Sequence, residues 1–244
     1  MRSVRRGPSP ISGDFKNYRD AFPHLVQKLG LYCSYCERRI ATGLAVEHIQ
    51  PKALPAYKHL VGNWQNFLLA CINCNASKGD TDVALADHLI PDRDNTSSAF
   101  TYLPDGRIEV SERLAPQAKA QAQATLTLVA LDRRSADARN PNERLVALDR
   151  VKQRIDAWLQ AEQAKQDLAS QSDNQVLITT VINLALATGF FSVWMQVFAD
   201  NVPMRRRLIQ AFGGTLDSGC FDPQTTQPIH PAPNPDRLAD GGKA

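Results

Sequence analysis

Nowhere in these 244 residues do twenty apolar residues run uninterrupted, and a helix needs roughly that many to cross a bilayer. The closest segments, 176–187 and 190–199, are interrupted by Thr179, Thr180, Asn183, Thr188, Gly189, Ser192 and Gln196. They read as two packed helices broken at Gly189 rather than as a membrane span. The basic stretch and short apolar core of a secretory signal do not open the chain. Cysteine is scarce, with five in all, whereas a secreted disulfide scaffold is shorter and far richer in it. The expectation is a cytoplasmic protein whose thiols stay reduced. Nor does either sign of charge dominate, since the net is only +3. That figure hides an asymmetry: residues 1–80 hold 11 Lys or Arg against 5 Asp or Glu, and the remainder holds 17 against 20. A basic end concentrates phosphate polymers near its surface, which is mild support for nucleic acid as partner. With 43% hydrophobic and 22% charged residues, the chain can bury a core and allows one or two domains.

What is present is concentrated between Cys33 and Gly79. Four of the five cysteines form two Cys-x-x-Cys pairs, Cys33 with Cys36 and Cys71 with Cys74. Paired spacing of this kind points to a closed, tetrahedral, structural Zn²⁺ site. A redox dithiol would ask for one pair in a strand-turn-helix setting. Cys220 stands apart as an incidental thiol.

Between the pairs lie Glu47-His48 and Asn66, and directly after the second pair comes Asn75. This order resembles the HNH (ββα-metal) endonucleases, whose motif is an acidic residue or His followed by His, a central Asn, and a terminal His or Asn. The likeness covers about 50 of the 244 residues. It implies two short strands and a helix around one divalent ion, braced by a four-cysteine zinc site. Phosphodiester hydrolysis needs a deprotonated water, an electrophilic metal and relief of charge on the departing oxygen. His48 suits the general base, because imidazole titrates near neutral pH. Glu47 and Asn75 offer hard oxygen ligands that favour Mg²⁺ or Mn²⁺ over zinc. Asn66 is expected to hold the His48 ring through its carbonyl, and Lys78, one helical turn after Asn75, to touch phosphate. Each residue has a plainer use: a strand histidine is usually structural, and Asn often serves turns and helix caps. Their joint occurrence with the cysteine pairs is what those uses do not explain. Trp64 is expected in the core, and Pro51 should stop the first strand by removing a donor.

The fold class expected is α+β, a small ββα-metal module followed by a mainly α-helical region. Residues 1–30 read as a basic lead-in and helix, with Arg2, Arg5 and Arg6 free to lie along a phosphate backbone. Residues 31–112 form the nuclease module with its zinc site and a β-hairpin, Thr101-Tyr102-Leu103 against Ile108-Glu109-Val110 across an Asp-Gly turn. Residues 113–221 are helical: one helix over 118–131, one from Pro141 to about Ser170, the pair at 176–199, and a last one from Pro203 ended by Gly213-Gly214. In the long helix Leu145, Leu148, Val151, Ile155, Trp158 and Leu159 step by three and four, so they are expected to face the core. The arginines Arg205, Arg206 and Arg207 read as a solvated face, and the proline-rich segment 222–244 as disordered.

The phrases Leu31-Tyr32-Cys33-Ser34-Tyr35-Cys36-Glu37-Arg38-Arg39-Ile40 and Val46-Glu47-His48-Ile49-Gln50-Pro51-Lys52, with the hairpin after them, resemble the HNH subunit of Septu-type and retron-associated anti-phage defence systems. That resemblance implies an ATPase partner of the ABC/SMC type docked on the helical half. DNA is the expected substrate, with RNA and a homo-oligomer left open. Two other readings stand beside it: a stand-alone restriction-like nuclease, and a zinc-braced binding module without catalysis.

Overall fold

The computed structural model describes residues 1–244. Its first unit is a two-stranded sheet and a helix. Strands β1 (Leu44–His48) and β2 (Phe67–Cys71) run antiparallel, with Leu44 opposite Cys71 and His48 opposite Phe67. All five residues of β2 are buried, which is why it reads as a continuous apolar run rather than an alternating one. Cys71 ends β2 and is the N-cap of α2 (Ile72–Lys78), so strand passes into helix without a linker. The connection between the strands carries two 3-10 turns, Pro55–Leu60 and Trp64–Asn66. Trp64 is buried as expected and donates from Nε1 to the Gly7 carbonyl at 2.9 Å. Helix α1 (Phe22–Leu29) buries Leu25 and Leu29 beside the sheet.

After a single helical turn, α3 (Thr96–Ala99), the expected hairpin follows as β3 (Phe100–Tyr102) and β4 (Ile108–Val110). The rest is helical: α4 (Pro116–Leu128), α5 (Pro141–Ala169), α6 (Gln175–Thr188), α7 (Phe191–Val197) and α8 (Val202–Ala211). The long helix starts where its sequence says it should, with Pro141 in the first turn and Asn140 Oδ1 accepting from the Glu143 amide at 2.9 Å. No helix is long and apolar enough to cross a membrane. The architecture is the α+β one expected, small antiparallel sheets followed by helices.

Four expectations are corrected. The face that α5 buries is not the leucine stripe: Leu145, Leu148 and Leu159 are 64%, 48% and 59% exposed. The buried positions are Ala147, Arg150, Arg154, Ala157, Ala161, Ala164 and Leu168, spaced three and four apart throughout. Small side chains let the neighbouring α7 approach closely, and the two arginines have a buried task described below. The N-terminal arginines do not reach for phosphate either. Arg2 donates to the Leu29 carbonyl and the Thr215 hydroxyl, both at 2.8 Å, while Arg6 donates to the Phe67 carbonyl at 2.6 Å and pairs with Asp92. Burial alone would push the Asp92 carboxyl up, but Arg6 and Arg93 outweigh it and hold the group below the usual carboxylate range. Segment 222–244, expected to be disordered, lies along the loop at 90–95. The Asn95 amide donates to the Lys243 carbonyl, the Lys243 amide to Asp94, and Arg5 pairs with Asp236. Prolines restrict the unfolded chain as much as the folded one, so a proline-rich segment with polar partners orders at low entropic cost. Arg205 is likewise buried, donating to the Thr226 carbonyl, and Arg206 donates to the Pro223 and Gln224 carbonyls.

The two halves meet at the first cysteine pair. Glu37 lies at φ 64° and its carbonyl accepts from the Phe190 amide at 2.9 Å. Its buried carboxylate accepts from the Ser192 amide (2.7 Å), the Ser192 hydroxyl (2.6 Å) and the Tyr102 hydroxyl (3.0 Å), and it pairs with the Met1 amine at 3.0 Å. Gly189, at φ +78°, is the joint: a Cβ there would stand 2.7 Å from both the Arg39 nitrogen and the Glu37 carbonyl oxygen. Gly189→Ala combines a left-handed backbone with a backbone clash, and it should cost about 2–4 kcal/mol. Thermal melting should show a drop on the order of 10 °C for a chain of this size. A melting point within 2 °C of wild type, on that same scale, would mean the joint is soft.

Candidate active site and metal centre

The four cysteines converge from both sides of the sheet. Cys33 and Cys36 sit on a tight turn fixed to β2, where the Ser34 amide donates to the Leu69 carbonyl at 2.8 Å and the Leu69 amide to the Ser34 hydroxyl at 3.3 Å. Cys71 and Cys74 occupy the entry of α2. All four sulfurs lie within 4.8 Å of one another, and Cys36 Sγ is 3.7 Å from Cys71 Sγ. A zinc ion with sulfurs at about 2.3 Å gives tetrahedral edges of about 3.8 Å, whereas a disulfide would bring two of them to about 2.05 Å. All are free thiols. Burial pushes the Cys33 thiol up and the neighbouring sulfurs push Cys74 up, while the same sulfur contacts pull Cys36 and Cys71 down. Only part of the quartet can ionise by itself, and a divalent cation is what would let all four do so.

Two arginines complete the arrangement. Arg38 Nη2 lies 3.5 Å from Cys71 Sγ, and Arg150 Nη2 lies 3.4 Å from Cys74 Sγ. Arg150 also donates to the Val129 and Ala130 carbonyls, and Arg154 from the next turn donates to the Gly106 carbonyl. Four thiolates around one divalent ion leave two net negative charges, and buried charge of that kind needs counter-charge and donors. This is why α5 buries arginine where a hydrophobic stripe was expected. The residues present therefore fit a tetrahedral, closed metal centre.

On the other face of β1 and α2 is a cavity of about 550 Å³ lined by Tyr18, Arg19, Glu47, His48, Lys52, Asn75 and Lys78, among others. Glu47, His48, Asn75 and Lys78 are thus brought together as the sequence implied. His48 is almost fully buried, its ring edge-on to Phe67 at 5.2 Å and in a T-shaped contact with Tyr18 at 4.7 Å. Its Nε2 is 3.0 Å from the Val61 carbonyl oxygen. A carbonyl only accepts, so Nε2 carries the hydrogen and Nδ1 keeps its lone pair free. Burial lowers the His48 pKa, the Val61 bond partly offsets this, and Lys52 and Lys78 lower it further. The ring is neutral at physiological pH and ready to accept a proton.

Asn66 does not hold that ring. Its Oδ1 accepts from the Gln50 amide at 2.8 Å and its Nδ2 donates to the Gln50 carbonyl at 2.9 Å. A side-chain amide matches a peptide group donor for acceptor, so it clasps the chain just after β1. A weaker 3.5 Å contact reaches the Leu60 carbonyl, next to Val61. Asn66 therefore braces the loop that supplies the real acceptor. Lys78 is the second correction. It is only 2% exposed, its Nζ donates to the His48 carbonyl at 2.9 Å, and it lies 3.0 Å from Glu47 Oε1. It neutralises Glu47 from within instead of presenting a charge to phosphate.

The Glu47–Lys78 contact has ion-pair distance but not hydrogen-bond geometry, and Oε1 has no hydrogen-bond partner. Burial raises the Glu47 pKa, with Lys78 acting against it. A buried carboxylate oxygen without a donor, on a cavity shared with the exposed amide of Asn75, fits a hard divalent cation.

The Val61 carbonyl could not be foreseen, because a backbone acceptor carries no side-chain signal. Arg150 and Arg154 did leave one, the regular small-or-basic spacing from Ala147 to Ala164. Against known proteins, residues 33–81 match the family model of the HNH endonuclease. No curated protein matches the chain.

Proposed function

Starting from an HNH endonuclease domain at residues 33–81, we propose that the protein is a metal-dependent DNA endonuclease in which His48 is the general base. The observation that carries this is the contact at Nε2: a carbonyl can only accept, so the Val61 oxygen takes Nε2–H, and Nδ1 of a ring that lines the cavity keeps its lone pair. Nδ1 takes the proton from the attacking water, and the Val61 carbonyl stabilises the imidazolium that results. Glu47 and Asn75 would hold Mg²⁺ or Mn²⁺, which supplies the electrophile for the phosphate and charge relief for the departing oxygen. Lys78 opposes the burial that raises the Glu47 pKa, and Asn66 fixes the loop that carries Val61. Zn²⁺ in the four-cysteine centre is structural, because four thiolates leave no open position.

The same reading extends to the cellular role. The segments 31–40 and 46–52, by their likeness to Septu-type and retron-associated nuclease subunits, support an effector of anti-phage defence in the cytoplasm, working with an ABC/SMC-type ATPase. The helical half, which has no catalytic constellation of its own, is the region that would receive that partner.

Cleavage of supercoiled plasmid with Mg²⁺ or Mn²⁺ tests the chemistry. His48→Ala should lower the rate roughly 10²–10⁴-fold, the range of general-base contributions, with zinc content unchanged. A His48→Ala protein that cuts at the wild-type rate would remove His48 from the mechanism. If wild type is silent, the assay is repeated with the ATPase before a binding role is accepted.

A further inference from the structure

The cations that the sequence offered to phosphate, Arg2, Arg6 and Lys78, are all buried against the protein's own carbonyls and carboxylates. The wall of the cavity opposite Glu47 carries two that are not. Arg19 and Lys52 are exposed, both line the cavity, and neither has a carboxylate within ion-pair distance. They are organised around Tyr18. The Lys52 Nζ donates to the Tyr18 hydroxyl at 2.8 Å and lies 4.1 Å from the centre of its ring, and the Arg19 guanidinium carbon lies 5.5 Å from the same ring. Tyr18 in turn makes the T-shaped contact with His48. The local fold fixes this cluster: Asn17 Oδ1 accepts from the Arg19 amide at 3.2 Å, starting the 3-10 turn Tyr18–Ala21, and the Asn66 clasp on Gln50 anchors the chain two residues before Lys52, beyond the end of β1 at His48. Tyr18 and Arg19 lie outside residues 33–81.

A long cation normally loses rotamer freedom when it meets a phosphate. Here the phenol hydroxyl and ring already hold Lys52 beside the general base, and Arg19 extends the positive wall outward. Asp80 is the one acid besides Glu47 among the lining residues, so the unpaired charge on this wall is positive. We propose that Tyr18, Arg19 and Lys52 form a binding subsite for the DNA phosphodiester adjacent to the one that is cut. Arg19 and Lys52 make the charge contacts, while Tyr18 is a positioning residue that aims Lys52 and supports the His48 ring. The assignment rests on the endonuclease reading above.

The test separates the two. In the His48→Ala background, binding of fluorescently labelled duplex DNA is followed by anisotropy across salt concentrations. Two phosphate contacts contribute roughly 2 to the slope of log Kd against log salt, so Arg19→Ala with Lys52→Ala should flatten it by about that amount. With His48 intact, the same pair should raise KM for plasmid about tenfold or more, with kcat within about threefold, as expected when binding shared by ground and transition states is removed. Tyr18→Phe keeps the ring on His48 and frees Lys52, so it should raise KM only. Tyr18→Leu removes the wall behind the imidazole and should lower kcat as well. An unchanged salt slope in the double variant, in a protein whose wild type cuts, overturns the subsite and leaves the nuclease. A flattened slope in a protein that never cuts, with or without the ATPase, supports the subsite as a DNA contact and overturns the nuclease reading.

Discussion

Removing the metal from Cys33, Cys36, Cys71 and Cys74 is expected to unfold the sheet and α2 and to loosen α5 from them. Structural zinc sites in small domains supply about 10–16 kcal/mol of apparent binding free energy, comparable with the whole stability of an ordinary domain at about 5–15 kcal/mol. The centre here is built into the core: all four cysteines are buried, and Cys71 is at once the last residue of β2 and the cap of α2. Without the ion, four sulfurs within 4.8 Å must share protons, and Arg38 and Arg150 are left facing a site that no longer holds its full negative charge. Cys71→Ser, or a strong chelator, should abolish the cooperative thermal transition or lower it by 15 °C or more, a loss on the order of 5 kcal/mol at this size. Cys220→Ser should leave it in place. Arg150→Met should keep the fold at moderate temperature but release zinc to a chromogenic chelator roughly 10–100 times more readily, the usual effect of losing a partner behind a metal ligand. A fully cooperative, unshifted melt in the metal-free protein would show that the fold does not depend on the centre.

The second large effect is expected at Lys78. Glu47 and Lys78 are each 2% exposed and 3.0 Å apart. Removing one member of a buried pair strands the other, at a cost of about 3–5 kcal/mol. Lys78→Met also deletes the donor to the His48 carbonyl, so the zinc-loaded protein should melt roughly 10 °C lower. Glu47→Gln in the same chain removes the stranded carboxylate and should restore most of the loss. The double variant should remain inactive, since a neutral amide replaces the charged ligand proposed for the divalent ion. If Lys78→Met and Glu47→Gln simply add, with no coupling between them, the pair is not the unit described here.

How much of this was readable in the chain follows from the distance over which each group acts. The cysteine pairs and Glu47-His48 are local patterns whose spacing survives folding, so the four-cysteine cluster and the meeting of Glu47 and His48 at one cavity were legible. Helices α5 to α8 were legible in large part from proline and glycine near their ends, while the capping asparagines Asn140, Asn174 and Asn201 were not read. The direction of individual side chains was not. Lys78 sits on the expected helix, but whether it faces phosphate or the backbone of β1 depends on how α2 lies on the sheet. Asn66 was assigned the ring of His48 because a side chain was sought, while the acceptor is the backbone of Val61. The leucines of α5 misled for a related reason: hydrophobic periodicity assumes an apolar neighbour, and this helix faces thiolates 76 residues away in sequence.

That separation between Cys74 and Arg150 also sets an order of events during biosynthesis. Chains emerge N-terminal end first and their units fold as they appear, so all four cysteines are available to a metal ion well before α5 exists. A metal ion bound in that interval would have Arg38 alone as counter-charge, since the helix that carries Arg150 is not yet there. The donor set is therefore complete in the chain before the second arginine that would neutralise it is made.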